Sequence, residues 1–208
     1  VLPFKPNGKA QHIKGFLTRF AKTAKNKAEF LKRMAKLGMP LVGVDPAIVL
    51  SYRDEYKEIL GAERGDFHVL TAHEWLKQQL DNGILLSAQN TEKNDRSFES
   101  HQWYLFPHCT ETTAMPNSAK EWQHIFAAFD QQLQVESVGC CGMAGTFGHE
   151  TQHIEMSKAI YEASWEKKLQ NKDPNFCLAT GYSCRSQVKR FAHYHPKHPV
   201  QALLTLLK

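Results

Sequence analysis

A chain of 208 residues with 42% hydrophobic and 23% charged residues can bury the core of one large domain or of two small ones. No apolar run approaches the ~20 residues of a membrane span, and the first basic residues lead into an amphipathic pattern, which argues against a signal peptide. The net charge of +5 is uneven: residues 1–36 hold ten Lys/Arg against Glu29 alone, and the rest of the chain is acidic overall.

In chain order, the opening Val-Leu-Pro lacks Met and suggests a piece of a longer protein. Residues 11–38 are patterned as helix. Ile13, Phe16, Leu17 and Phe20 form one apolar stripe, and Phe30, Leu31, Met34 and Leu37 another. Gly38 and Pro40 stop it. "LVGV" at 41–44 is a short strand, and Asp45-Pro46 opens a helix to about Leu60. "DFHVL" is extended, and Thr71 with Glu74 makes a capping box for "AHEWLKQQL". Residues 90–100 are polar and are expected to form a loop or hairpin. Three strand–helix repeats follow: "WYLFPHC" then a helix at 118–133, "VESVGCCG" then a helix at about 149–170, and "NFCLAT" then a helix from Arg185. A short helix at 199–207 ends the chain. This alternation predicts an α/β fold with a mainly parallel sheet flanked by helices. The basic helices plus the first βα unit would occupy 1–62. A cysteine-rich βα domain would occupy 63–208, or the two would form one continuous domain.

The basic N-terminal arm suits an anionic partner, an acidic neighbouring domain or plain solvation of a helix face. No nucleic-acid-binding motif accompanies it, so nucleic acid is not an expected partner. The five cysteines, at 109, 140, 141, 177 and 184, are an odd set with an adjacent pair. Such a set in an unsecreted chain points to a reducing compartment, the cytoplasm, and to metal or redox use. Each of the three expected strands ends in a loop bearing Cys109, Cys140 with Cys141, or Cys184. In a parallel sheet those loops share one edge, where sites assemble. Soft thiolates suit zinc or an iron–sulfur centre. Cys177, inside an apolar strand, is the more ordinary buried thiol, although it stands near enough to be a further ligand.

The segments "PHCTETT", "GCCGMAGTFGHE" and "TGYSCRSQVKR", with thirty residues between Cys109 and Cys140, resemble the cysteine-rich CCG domain of heterodisulfide reductase and of the iron–sulfur subunit of glycolate oxidase. The likeness is nearest to the C-terminal part of bacterial fused FAD/iron–sulfur dehydrogenases of D-2-hydroxy acids, of the D-lactate or D-2-hydroxyglutarate type. It extends through "FKPNGKAQHIKGFL" and "LVGVDPAIVLSYRDEY". The resemblance implies an electron-transfer module that holds a 4Fe-4S type cluster on Cys109, Cys140, Cys141 and Cys184. It also implies FAD on an upstream domain of the same polypeptide, an electron acceptor downstream and peripheral membrane association. The chain departs from the family in three places. Gly181 stands where a C-x-x-C pair would begin, Ile48 replaces a cysteine of many relatives, and only one CCG occurs. These departures leave room for an unusual cluster or for zinc. A structural zinc-binding or docking module is therefore the alternative.

His149-Glu150-Thr151-Gln152-His153 also spells the zinc-peptidase pattern H-E-x-x-H. Met156 and Ala159 stand where an extended peptidase motif needs Gly and His, which makes a peptidase the weaker reading. His149 instead is placed to lend a ligand or hydrogen bond to the cysteine-bound metal. His108 is placed to tune Cys109, and Arg185, Lys189 and Arg190 to screen its charge. No glycine fingerprint for FAD or NAD precedes a helix.

Overall fold

The structure is a computed structural model and describes residues 1–85 and 100–206. The loop or hairpin expected at 90–100 falls, but for its last residue, outside them. The chain divides into two compact units, Val1–Thr71 and Ala72–Lys208. The division lies beyond the boundary read from the sequence because the strand at 69–71 pairs with the one at 41–43 and closes the first unit.

Unit 1 opens with α1 (Lys9–Ile13) and α2 (Leu17–Ala35). The apolar pattern predicts one continuous helix there. Gly15, at φ +75°, ends the first helix and turns the chain. The first stripe is lost with it, since Ile13, Phe16 and Leu17 are exposed and only Phe20 is buried. β1 (Leu41–Gly43) pairs in parallel with β2 (Val69–Thr71). Between them run α3 (Pro46–Arg53) and α4 (Glu55–Leu60). Asp45 caps α3 by accepting from the Ile48 amide at 3.1 Å. The α2 stripe packs Phe20, Ala24, Ala28 and Leu31 against Val49, Tyr56 and Val69. Arg53 holds β2 through two bonds to the Val69 carbonyl, at 3.0 and 2.7 Å.

One half-buried ion pair, Lys9–Glu55, ties α1 to α4. Burial works against the Glu55 charge, but the hydrogen bond and charge of Lys9 outweigh it and hold its pKa below the ordinary value. A depressed folded pKa means that the pair stabilises unit 1 fully above the usual glutamate range. That contribution fades as pH falls through the folded value. Glu55→Gln is expected to cost about 1 kcal/mol at pH 7. It should also flatten the fall of the urea midpoint between about pH 5 and 3. An unchanged slope in that range would show that the pair contributes nothing.

Unit 2 begins with α5 (Ala72–Asp81). Its sheet is parallel, in the order β4-β3-β5, with β3 (Gln102–Phe106) between β4 (Gln132–Val135) and β5 (Cys177–Ala179). After β3 come α6 (Cys109–Ala114) and α7 (Ser118–Ala127). After β4, α8 (Ile154–Tyr161) continues through a π turn, Glu162–Glu166, into α9 (Lys167–Leu169). α10 (Tyr182–Phe191) and α11 (Pro199–Leu206) follow β5.

Side-chain alternation on β3 divides the core in two. Trp103 and Leu105 enter a cluster with Trp122, Ile125 and Phe126 of α7 and with Leu203 of α11. Phe106 enters another with Tyr161 of α8, Trp165, Cys177, Cys184 and Val188. Helices therefore cover both faces of a parallel sheet, in keeping with the strand–helix alternation of the sequence. Among the described residues no helix is long and apolar enough to cross a membrane.

Two placements differ from those read in the sequence. The strand expected in "VESVGCCG" runs instead over Gln132–Val135, with Leu133 buried and Gln132 and Gln134 exposed. The sequence also puts all four site cysteines on loops. Only Cys140 and Cys141 lie on one, beyond β4, whereas Cys109 is the first residue of α6 and Cys184 lies in the first turn of α10.

Candidate functional site

The connections leaving the carboxyl ends of β3, β4 and β5 carry Cys109, Cys140 with Cys141, and Cys184. All five cysteines are free thiols. Cys141 and Cys184 are buried, while Cys109 and Cys140 reach the surface in part. The loop bearing the adjacent pair is held from three sides. Gly139 donates to Ser164 Oγ at 2.6 Å and accepts from Trp165 Nε1 at 3.1 Å, both presented by the π turn. Buried Ser157 of α8 donates to the Gly142 carbonyl at 2.8 Å. Gln187 of α10 donates to the Cys141 carbonyl at 2.9 Å and to Ser157 Oγ at 2.8 Å. Gly142, at φ +86°, turns the loop where any Cβ would lie 2.2 Å from the Ser157 carbonyl oxygen.

The loop folds its amides back on its own sulfurs. Gly142 N–H reaches Cys140 Sγ at 3.3 Å. The Ala144 amide bonds the same sulfur, and the Met143 amide bonds that of Cys141. The thiols also bond one another, Cys140 to Cys109 and Cys141, and Cys141 to Cys184. Hydrogen bonds from Cys109 and Cys141, helped by the Gly142 and Ala144 amides, pull the Cys140 thiol far below its ordinary range. Its neighbours move the other way. The bond to Cys140, then burial, raises Cys109, and the bonds to Cys140 and Cys184, then burial, raise Cys141. The four thiols therefore follow one another through pairwise bonds, with Cys140 shifted down and its neighbours Cys109 and Cys141 shifted up. Among the described residues no group of three or more His, Cys, Asp or Glu side chains is spaced to hold a metal ion.

The donor chemistry of these thiols, as distinct from their spacing, suits a soft metal or cluster. The four sulfurs follow one another through pairwise contacts, and backbone amides bond two of them. The hydroxyl of Tyr161 is buried, has no hydrogen-bond partner among the described residues, and shares a core cluster with Cys141 and Cys184. Burial, with the charges of Glu166 and Cys141, raises its pKa and keeps it a neutral donor.

Cys177 and His149 have other bonding partners. Cys177 is fully buried, donates to the Asp173 carbonyl at 3.5 Å and bonds Tyr194. His149 is exposed, with Nδ1 3.4 Å from the Arg190 guanidinium. The helix expected from His149 starts at Ile154. His149 and His153 therefore lie on separate 3-10 turns, Phe147–His149 and Thr151–His153, and lose the i, i+4 pairing that a zinc peptidase needs. His153 stacks on Phe147, with centroids 4.1 Å apart.

Gly181 is explained by space. A Cβ there would lie 2.3 Å from Cδ2 of His108 and 3.1 Å from Cys184 Sγ, so the imidazole fills the place of the missing cysteine. His108 Nδ1 accepts from Thr110 N at 3.1 Å and caps α6. The basic residues of α10 are partly structural: Arg185 bonds the Ala179 and Thr180 carbonyls and Arg190 the Gly148 carbonyl.

Sequence reasoning missed Ser157, Gln187 and Glu111. All three are buried polar groups. Ser157 falls on the buried stripe with Tyr161 and Trp165, and Gln187 on that with Cys184 and Val188. A polar residue on an apolar stripe was the available signal.

The chain is 72% identical over 209 residues to a D-2-hydroxyglutarate dehydrogenase of Haemophilus influenzae and 58% identical over 208 residues to one of Escherichia coli. Both alignments take in the whole chain, which spans 20% and 19% of those proteins. It is also 22% identical over 201 residues to one subunit of the anaerobic glycerol-3-phosphate dehydrogenase of Escherichia coli, an alignment that takes in 93% of this chain and 47% of that polypeptide. No family model and no solved structure matches.

Proposed function

We propose that this chain is the cysteine-rich, metal-holding, electron-transfer part of a larger FAD-linked D-2-hydroxyacid dehydrogenase, of the D-2-hydroxyglutarate type, and forms its C-terminal region. The observation that carries the reading is the contiguous row Cys109–Cys140–Cys141–Cys184 at one sheet edge, with loop amides directed at its sulfurs. The high identity over the whole chain to two D-2-hydroxyglutarate dehydrogenases supports the substrate class. A dehydrogenase component among the more distant relatives supports the redox class.

Cys109, Cys140, Cys141 and Cys184 would be the ligands. When bound, an iron–sulfur centre supplies a one-electron couple between the FAD of an upstream domain and an acceptor. The chain's own residues set its surroundings. The Gly142, Met143 and Ala144 amides stabilise negative sulfur, Ser157 and Gln187 fix the loop, and the apolar cluster of Phe106, Met143 and Tyr161 excludes water. The reducing cytoplasm keeps five free thiols available. The same donors suit zinc, which would make the unit a structural or docking module.

Iron, sulfide and zinc content with an absorption spectrum, measured on the anaerobically purified full-length protein, separates the two. Iron and sulfide with broad visible absorption are expected. In Cys141→Ser, bound iron should fall by at least about tenfold. One zinc per chain and a colourless protein would remove the redox role.

A further inference from the structure

The buried residues of α2 are Phe20, Ala24, Lys27, Ala28, Phe30 and Leu31, so a lysine stands on an otherwise apolar stripe of the helix. Lys27 is 8% exposed, yet no carboxylate pairs with it among the described residues. Its ammonium lies over two rings, 5.3 Å from the centroid of Phe30 and 5.9 Å from that of Tyr52. A second ammonium, that of Lys5, lies 5.4 Å from the same Phe30 ring. Burial, with the like charge of Lys5, lowers the Lys27 pKa. An unpaired ammonium costs stability there, and methionine or leucine would pack the stripe better. Residues that break a local rule in this way mark functional sites.

Lys27 lines a pocket of about 220 Å³ at the carboxyl end of β1, beside the start of α3. Its other walls are mainly apolar, from Leu2, Leu31, Val42, Ile48 and Val69, with Tyr52 beside the lysine. Asp45 also lines it, but its carboxylate is engaged in capping α3. The volume holds roughly seven waters, which suits a short-chain molecule and is too small for a nucleotide or a lipid. The carboxyl edge of a parallel strand pair is where α/β units take ligands. An apolar pocket with one cation in its lining selects an apolar body with an anionic head.

We propose that the first unit binds a short-chain aliphatic carboxylic acid, its carboxylate on Lys27 and its chain in the pocket between α2, β1 and α3. The ligand supplies the counter-ion that Lys27 lacks among the described residues. The site is independent of the thiols and of the function assigned to them.

Calorimetric titration and thermal unfolding of this chain with hexanoate, hexanol and hexylamine test the proposal. Hexanoate is expected to bind and to raise the melting temperature, with hexanol and hexylamine at least tenfold weaker. Lys27→Met should melt higher than the wild type without ligand and lose at least tenfold in hexanoate affinity. Val42→Trp, at an exposed wall position, should block binding with Lys27 still in place. Equal hexanoate affinity in the wild type and Lys27→Met, or no hexanoate binding at millimolar concentration, would overturn it.

Discussion

Gly142→Ala is expected to destabilise unit 2 by about 2–5 kcal/mol and to abolish metal retention. Two costs add at this position. The backbone is left-handed, at φ +86°, which costs a residue with a Cβ about 1–2 kcal/mol. The new methyl would also stand 2.2 Å from the Ser157 carbonyl oxygen, within a helix that cannot yield. Overpacking of that kind costs about 1–3 kcal/mol more. Relief would require the loop to lift from α8, breaking the Ser157–Gly142 and Gln187–Cys141 bonds that place the sulfurs. Urea unfolding followed by tryptophan emission measures this directly, since Trp103, Trp122 and Trp165 are all core residues of unit 2. A midpoint within error of the wild type would mean that the loop does not need the glycine.

Glu111→Ala should be nearly as damaging, by about 3–5 kcal/mol. This carboxylate is 1% exposed and is an acceptor for several buried donors. Thr180 donates to it through a short bond, Trp122 Nε1 donates at 3.2 Å, and His73 Nδ1 lies 3.6 Å away. Alanine would strand these donors in a dry interior, where each unsatisfied group costs about 1–3 kcal/mol. The damage would reach the thiols, because Thr180 Oγ1 in turn accepts from the amide of His108, the residue before Cys109. The chain Glu111–Thr180–His108 thus ties the end of β5 to the start of α6. Glu111→Gln keeps the shape and one acceptor oxygen, so it should cost less than half as much. Equal and small losses for both variants, read from urea midpoints, would show that the carboxylate is dispensable.

Much of this was legible in the sequence. Strand–helix alternation led to a parallel sheet flanked by helices, and the cysteine-bearing segments lie beyond the carboxyl ends of its strands. What misled were local signals overridden by packing. "VESVGCCG" reads as a strand, yet Gly139 and the adjacent cysteines cannot serve as ladder and loop at once. "QLQV" pairs instead, with Leu133 buried in the core and Val135 packed against it. "HETQH" has helical spacing, but the fixed Gly148 backbone and the Phe147–His153 stack hold it in separate turns. Gly15 looks tolerable within a long helix and instead ends it. The supports of the site, Glu111, Ser157 and Gln187, carry no motif. Their role arises from burial between segments far apart in sequence, which no single window contains.

On the proposed function, the Tyr161 hydroxyl, which has no hydrogen-bond partner among the described residues, would make unit 2 a host completed by its guest. Folding already strips this hydroxyl of water without replacing the lost bond. A sulfur or other acceptor arriving beside Cys141 recovers that bond with no further desolvation. Under the proposed function, occupancy and folding of this face would be two readings of a single equilibrium, and free metal concentration would help set how much of the protein is native.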